Sequence, residues 1–315
     1  MLANALLTLR TRGPAILANA VLNLAAANIE HRVLNRRFIE RPIHNYRMLL
    51  DMQDRGICRS LMLFRTREID HKIILEKVLK PGMSVLDIGA NIGYYVLMEM
   101  ALIGPTGRMV AIEPSPSNIE LLQRNLALNG HSGVPVIAGA VSDQPGDREF
   151  FLAHQSNLNT FHTTGTGAKH LSGQSVQVRT YTVPELAKQY GKPDLMRMDV
   201  EGHEVEVFNG MIDAVAAGEL APMVIFETHL SRYGAEHDME TPLRKLFNLG
   251  YHVRYLASSS ERGTALINAR GYRGVESVRT DDVERVIYEN VGNDDAIDFI
   301  CKIGGARTVL LQKRT

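Results

Sequence analysis

Val85-Leu86-Asp87-Ile88-Gly89-Ala90-Asn91-Ile92-Gly93-Tyr94-Tyr95 reads as a buried strand that breaks into a tight bend and opens a helix. Gly89 and Gly93 let a backbone approach a ligand where a Cβ would collide. The helix start behind them offers unpaired N–H groups. Asp87 adds a carboxylate at the strand's C-terminal end, where open α/β sheets place their ligands.

Two cofactor classes compete for such a bend. Dinucleotide folds want G-x-G-x-x-G, so that a pyrophosphate sits on the helix N-terminus. Here Asn91 replaces the second glycine and Tyr94 follows the last. An acid beside the loop repels a pyrophosphate but suits the ammonium group of S-adenosyl-methionine. Met109-Val110-Ala111-Ile112-Glu113 is a second short apolar run ending in an acid, one helix further on, and Glu113 there can accept both hydroxyls of a ribose. Pro114 and Pro116 close that strand, and Ser117-x-x-Glu120 reads as a capping box for a helix through Asn129. A third strand, Val134 to Val141, would supply an adenine pocket around Gly139, Ala140 and Asp143.

Asp194-Leu195-Met196-Arg197-Met198-Asp199 is the predicted fourth strand, turning through Val200-Glu201-Gly202-His203-Glu204 into a helix that ends near Gly210. Pro222 to Glu227 is the fifth, continued by Thr228-His229. Adjacent strand ends thereby aim Asp199, Glu201, Glu227 and His229 at one cleft. Groups so placed can align a bound substrate and accept a proton from it. His229 has the intrinsic pKa for that role, Asp199 is its rival, and Glu201 faces the cleft with them. Glu204 reads instead as a first-turn helix residue. The same four side chains could hold Mg²⁺ or Mn²⁺, but no tight spacing such as H-E-x-x-H is present, and no metal is expected.

Taken together, Leu86 to Tyr95, then Glu113-Pro114 with Asn118, Asn125 and Asn129, then Met198-Asp199-Val200-Glu201-Gly202-His203-Glu204 with Gly210, resemble the FkbM-type methyltransferases. The resemblance spans roughly residues 45 to 255 plus the last strand. It implies S-adenosyl-methionine as cofactor and methylation of a hydroxyl group. It also implies that Asp87, Gly89, Asn91 and Gly93 hold the methionine part, that Glu113 holds the ribose, and that Asp199 and Glu201 floor the active site. Tyr94, Pro114, Asn118, Ala140, Asp143 and Asp199 complete the expected cofactor set. Arg197 stands where the family more often shows Lys, and Thr182 where an Asp is common.

The coarse order of elements predicts a Rossmann-like α/β fold: a mostly parallel seven-stranded sheet, its last strand antiparallel, with helices on both faces. Residues 1–45 form an N-terminal helical extension, a pair of helices broken at Arg10-Thr11-Arg12-Gly13-Pro14. Residues 46–70 form a cover, with a strand pair over Tyr46 to Leu63 turning at Asp54-Arg55-Gly56 and a helix opened by Glu68. The methyltransferase domain fills 71–315, with inserts at 146–182 and 257–307; the second carries a predicted helix over Asp281 to Glu289. The 257–307 insert, the 156–174 link and the 46–63 hairpin are expected to wall an acceptor pocket to which Glu68, Asn159 and Glu227 contribute.

Composition limits the remaining choices. A net charge of +0 draws in neither nucleic acid nor an anionic surface, and 6% aromatics give no stacking platform for single strands. The basic group His31, Arg32, Arg36, Arg37 and Arg41 reads as a solvated helix face. Two cysteines build no disulfide framework, which points to a reducing cytoplasm. The N-terminal apolar runs are interrupted by Arg10, Arg12, Asn19 and Asn23, so a signal peptide or membrane span is not expected, and contact between two copies is. The expected acceptor is a small molecule or glycan carrying a hydroxyl. An NAD- or nucleotide-sugar-dependent enzyme, or a non-catalytic adenosine-binding module, stands as the alternative on the same sheet.

Overall fold

The computed structural model describes residues 2–163, 168–235 and 237–314. Helices α1 (Leu2–Arg12) and α2 (Pro14–Arg32) open the chain, separated by Gly13 at a φ of 88°. No helix among the described residues is long and apolar enough to cross a membrane. Much of the basic group near the end of α2 is paired internally: Arg41 with Glu30 and Arg37 with Asp51, both at 2.7 Å.

The cover differs from its sequence reading. The hairpin is β1 (Phe38–Ile43) with β2 (Tyr46–Asp51), and Ile57–Phe64 is a helix, α3. Asp54-Arg55-Gly56 starts that helix instead of turning a hairpin: the Asp54 carboxylate accepts from the N–H groups of Gly56 (3.0 Å) and Cys58 (2.9 Å), which orders donors a helix start leaves open. Helix α4 (Ile69–Val78) follows Glu68.

The sheet then begins with β3 (Ser84–Ile88), α5 (Tyr94–Ile103), β4 (Arg108–Glu113), α6 (Pro116–Leu128) and β5 (Val136–Ala138). Helix α6 has Ser115 at its N-cap position, without a side-chain cap bond, and Pro116 in its first turn, so Ser117 is no N-cap; proline's fixed φ and missing donor suit the first helical position. The expected third strand breaks at Gly139, because a Cβ there would lie 2.6 Å from the Arg179 carbonyl oxygen. Its second half, β6 (Ala140–Val141), joins β7 (Gly146–Ala153) and β8 (Leu171–Tyr181) in a separate three-stranded sheet. Helix α7 (Val183–Tyr190) has a complete capping box, in which Thr182 and Glu185 each accept from the other's backbone N–H.

Strand β9 (Leu195–Met198), helix α8 (Glu204–Ala216) and strand β10 (Met223–Glu227) come next, and α8 runs on past Gly210. Helix α9 (Glu240–Asn248), β11 (Tyr251–Ser258) and α10 (Glu261–Ala269) lead into the insert. There the predicted helix over Asp281 to Glu289 is a strand: β12 (Glu276–Thr280) and β13 (Val283–Glu289) form a hairpin. Asp281 and Asp282 both adopt left-handed φ, as a two-residue hairpin turn requires, and the alternating Val-Glu-Arg-Val-Ile-Tyr run packs as a strand. Helix α11 (Asn293–Ile297) and β14 (Ala306–Lys313) complete the chain.

The large sheet has the order β12-β13-β11-β14-β10-β9-β3-β4-β5. Its seven strands from β11 to β5 are the predicted Rossmann-like set: β5, β4, β3, β9 and β10 run parallel and β14 antiparallel to β10. Apolar cores lie on both faces, with Val85 in one and Leu86 and Ile88 in the other. The chain leaves β3 toward β5 on one side and returns to β9 on the other. That reversal opens a crevice between the ends of β3 and β9.

Candidate active site

At the crevice the two strand ends nearly touch. Gly89 has a φ of 78°, and a Cβ on it would lie 2.2 Å from the Asp199 carbonyl oxygen, so only glycine closes this bend. Asn91 and Glu201 also adopt left-handed conformations, backbone strain of the kind that collects at functional sites.

One cavity lies over β4 and the bend, lined by Gly89, Asn91, Glu113, Pro114, Asn118 and Ala140 among others. Glu113 is its anchor. Its Oε2 accepts from Asn91 N (2.8 Å), and its Oε1 from Ser115 N (3.0 Å) and Asn118 Nδ2 (3.2 Å). Burial still pushes its carboxyl up to about 7 against those donors. A carboxylate offers about four acceptor sites, which leaves one open.

A second cavity adjoins the first and shares Gly89, Asn91, Asn157, Asp199 and Glu201 with it. Glu68, Tyr94, Arg197, Glu227, His229 and Arg307 form much of its remaining wall. His229 Nδ1 lies 2.8 Å from Glu204 Oε1, while its Nε2 stands 3.6 Å from Glu201, 3.6 Å from Glu227 and 3.9 Å from Asp199. Burial alone would lower the imidazole pKa, yet Glu204, Glu201 and Glu227 lift it to about 10. The surrounding carboxylates thus favour the imidazolium form of His229. Burial raises Glu201 to about 7 and Glu227 to about 8, the latter despite a close ion pair with Arg307. Asp199 directs Oδ2 at Arg197 (3.3 Å), and its buried Oδ1 has no hydrogen-bond partner.

The structure moves several predicted residues. Asp87 lines neither cavity: it is fully buried against Arg197 (3.2 Å), so it shapes the bend through that cation instead of meeting a ligand ammonium. Gly93 also stands behind the wall, where a Cβ would meet Leu122 at 2.7 Å. Tyr94 belongs to the second cavity, its hydroxyl donating to the Arg67 carbonyl at 2.9 Å. Asp143 faces away, paired with Arg148 at 2.7 Å, because the break at Gly139 turns β6 out of the large sheet. Asn159 lines the first cavity and not the second, its Oδ1 accepting from Ala153 N at 2.8 Å. Glu68 and Glu227 do reach the second cavity.

Of the expected pocket walls, the link contributes Asn157 and Leu158, and the 46–63 stretch contributes Ile57 from α3; residues 164–167 of the link lie outside the described residues. The 257–307 insert supplies only Arg307. Its hairpin sits at the sheet edge and props α4 from behind, through Arg285 to Asp70 (2.7 Å) and Asp281 to Glu68 N (2.9 Å). Glu204, read from sequence as a helix-start acid, is the partner that orients His229. Its position one residue after His203 carries no sign of that contact, which depends on β10 lying beside β9. Arg67 and Arg307 were also missed, and charge pattern alone does not separate them from surface arginines.

A parallel sheet with this reversal, a glycine bend after its first strand and an acid ending its second define the fold of the class I, S-adenosyl-methionine-dependent methyltransferases. The chain belongs to the FkbM methyltransferase family, whose domain model, Methyltransferase FkbM domain, matches residues 87–253. It is similar to the hexuronic acid methyltransferase AglP of Haloferax volcanii, 28% identical over 160 residues, half of this chain and 60% of that one. The methyltransferase sdnD of Sordaria araneosa is 30% identical over 172 residues, 46% of this chain and 65% of that one. The chain thus spans just under two thirds of the length of these curated relatives. Among solved structures, a methyltransferase FkbM from Methylobacillus flagellatus superposes with a TM-score of 0.36 at 15% identity, covering 73% of this chain and 52% of that one.

Proposed function

We propose that the protein transfers a methyl group from S-adenosyl-methionine to a hydroxyl of a sugar or a related small molecule. The observation that carries this reading is the pair of adjoining cavities that meet at Gly89 and Asp199, with the free Oδ1 of Asp199 at the junction. The first cavity suits the cofactor: Glu113 and Asn118 would hold its ribose and the Gly89 bend its amino-acid end. The sulfonium supplies an electrophilic methyl whose leaving group needs no protonation.

What remains for the chain is to align the alcohol and take its proton. The imidazolium of His229 and the guanidinium of Arg307 hold the acidic walls in place. Asp199 Oδ1 would accept the hydroxyl proton, with Arg197 fixing the other carboxylate oxygen, while the alcohol oxygen takes the methyl carbon and the methyl–sulfur bond electrons leave with S-adenosyl-homocysteine. The name of the AglP relative, a hexuronic acid methyltransferase, supports a sugar as acceptor, and the arginines and acids of the second cavity suit a polyhydroxylated one.

Two measurements test the proposal. S-adenosyl-homocysteine binds in calorimetry and NAD does not; displacement by NAD overturns the cofactor reading. Over a panel of hexoses and hexuronates, Asp199→Asn lowers methyl transfer by about 10²- to 10⁴-fold with S-adenosyl-homocysteine affinity retained, and unchanged turnover removes the proposed base. We read the N-terminal helices as a contact between two copies, since Leu6, Leu7, Val21, Leu22 and Ile29 are exposed there. Light scattering by a monomer at micromolar concentration excludes it.

A further inference from the structure

Beside the first cavity, whose wall His203 helps to form, His162 of the link converges with His203 and Glu206 at the start of α8, and His237 before α9 reaches the same Glu206. Ligand atoms of His162, His203 and Glu206 lie within 4.8 Å of one another. His203 Nδ1 is 3.3 Å and His237 Nε2 is 3.1 Å from the same oxygen, Glu206 Oε2, and the His162 and His237 rings stand 4.7 Å apart.

The hydrogen bonds around this group fix where the protons are. Ser142 Oγ donates its single proton to Asp143 Oδ1 (2.9 Å), so His203 Nε2, at 3.0 Å from that hydroxyl, has to be the donor to it. His203 Nδ1 is then left with a lone pair facing a carboxylate oxygen, and it has no hydrogen-bond partner although the residue is only 2% exposed. His237 Nδ1 lies 2.9 Å from the Arg232 carbonyl, which can only accept, so Nε2 is the nitrogen turned to Glu206. His162 Nε2 is buried and unpartnered. His237 Nε2 can donate to Glu206 at 3.1 Å as an imidazolium, but the His203 Nδ1 lone pair, 3.3 Å from the same carboxylate, repels it unless a cation lies between them. Two donors on one tetrahedral zinc stand about 3.3–3.5 Å apart, given metal–ligand distances near 2.0–2.1 Å.

We propose that His162, His203 and Glu206 form the core of a divalent transition-metal site of the zinc type, separate from the Asp199 cluster, with His237, 3.1 Å from Glu206, drawn in as the fourth ligand. Three nitrogens and one oxygen select such an ion over Mg²⁺ or Ca²⁺. Ser142 and the Arg232 carbonyl are the outer partners that set the two ring orientations. A metal there would tie the link to α8. Phe161, next to His162, stacks on His203 at 4.6 Å, and Asn157, Asn159 and Phe161 all line the first cavity. The ion would thus pin the cover of the cofactor cavity without touching the reacting atoms.

The test is Co²⁺ titration of the chelator-treated full chain, read by visible absorption. The expected result is one equivalent bound, with the intense bands of tetrahedral cobalt, displaced by Zn²⁺. His162→Ala and His237→Ala should each weaken binding by more than the ~10- to 100-fold an outer partner contributes. Asp199→Asn should leave it unchanged, and Zn²⁺ should raise the melting temperature of the parent but of neither histidine variant. Far-UV circular dichroism checks that the variants fold. Absence of stoichiometric binding, octahedral spectra, or loss of binding in Asp199→Asn alone would each overturn the proposal.

Discussion

Replacing Arg197 with methionine tests the electrostatics of the crevice floor. The guanidinium is almost wholly buried and reaches Asp87 Oδ1 (3.2 Å), the Gly89 carbonyl (3.2 Å) and Asp199 Oδ2 (3.3 Å), while stacking 4.1 Å over the Tyr95 ring. Methionine fills a similar volume, so what is lost is the charge, and Asp87 is left buried without a counter-ion. Breaking a buried pair by removing one partner costs about 3–5 kcal/mol. At about 2.1 cal/mol/K per residue, 315 residues give an unfolding entropy near 0.66 kcal/mol/K, and the expected drop in melting temperature is about 5–8 °C.

The pH dependence has a definite sign. Burial already raises the Asp87 pKa with Arg197 present, and without the cation it rises further. The native variant then holds a proton that the unfolded chain has released, so its stability falls as pH rises through that range. The deficit against the parent should shrink between pH 8 and pH 5. Asp87→Asn combined with Arg197→Met removes both charges and should recover most of the loss. Differential scanning calorimetry at both pH values decides: a variant melting with the parent, or a deficit independent of pH, refutes the account.

Three further substitutions probe other parts of the design. Asp54→Ala removes the acceptor for two N–H groups at the start of α3 and should cost about 1–2 kcal/mol in urea unfolding; no loss would mean the cap is unimportant. Asn125 accepts from Leu49 N and donates to Ile92 O, binding β2 to the glycine bend, so Asn125→Ala should cost about 2–4 kcal/mol and speed hydrogen exchange at Leu49. Protection unchanged at that amide would contradict the bridge. Glu113→Gln should weaken S-adenosyl-homocysteine binding by about 10- to 100-fold in calorimetry, the worth of a hydrogen bond to a charged acceptor, and affinity close to the parent's would take the ribose away from this residue.

How much was legible beforehand depends on the range of the interaction. The bend at Gly89, the acid at Glu113 and the strand ends at Asp199 and Glu227 follow from local pattern, because strand, turn and helix each leave a short-range signature. The helix over 57–64 and the strand over 283–289 were read the wrong way round. Asp54-Arg55-Gly56 and Asp281-x-x-Glu284 suit either a cap or a turn, and packing against the sheet decided between them.

The sequence alone determined the seven-stranded part of the sheet, its glycine bend and the acids at its strand ends, since these rest on hydrophobic period and backbone geometry within a few residues. Tertiary structure decided which charges meet. It paired Asp87 with Arg197, set Glu204 behind His229, turned Asp143 outward and drew His162 to His203. The energy of a buried charge depends on what lies a few ångströms away in space, and residues that close in the fold stand tens to hundreds of positions apart in the chain.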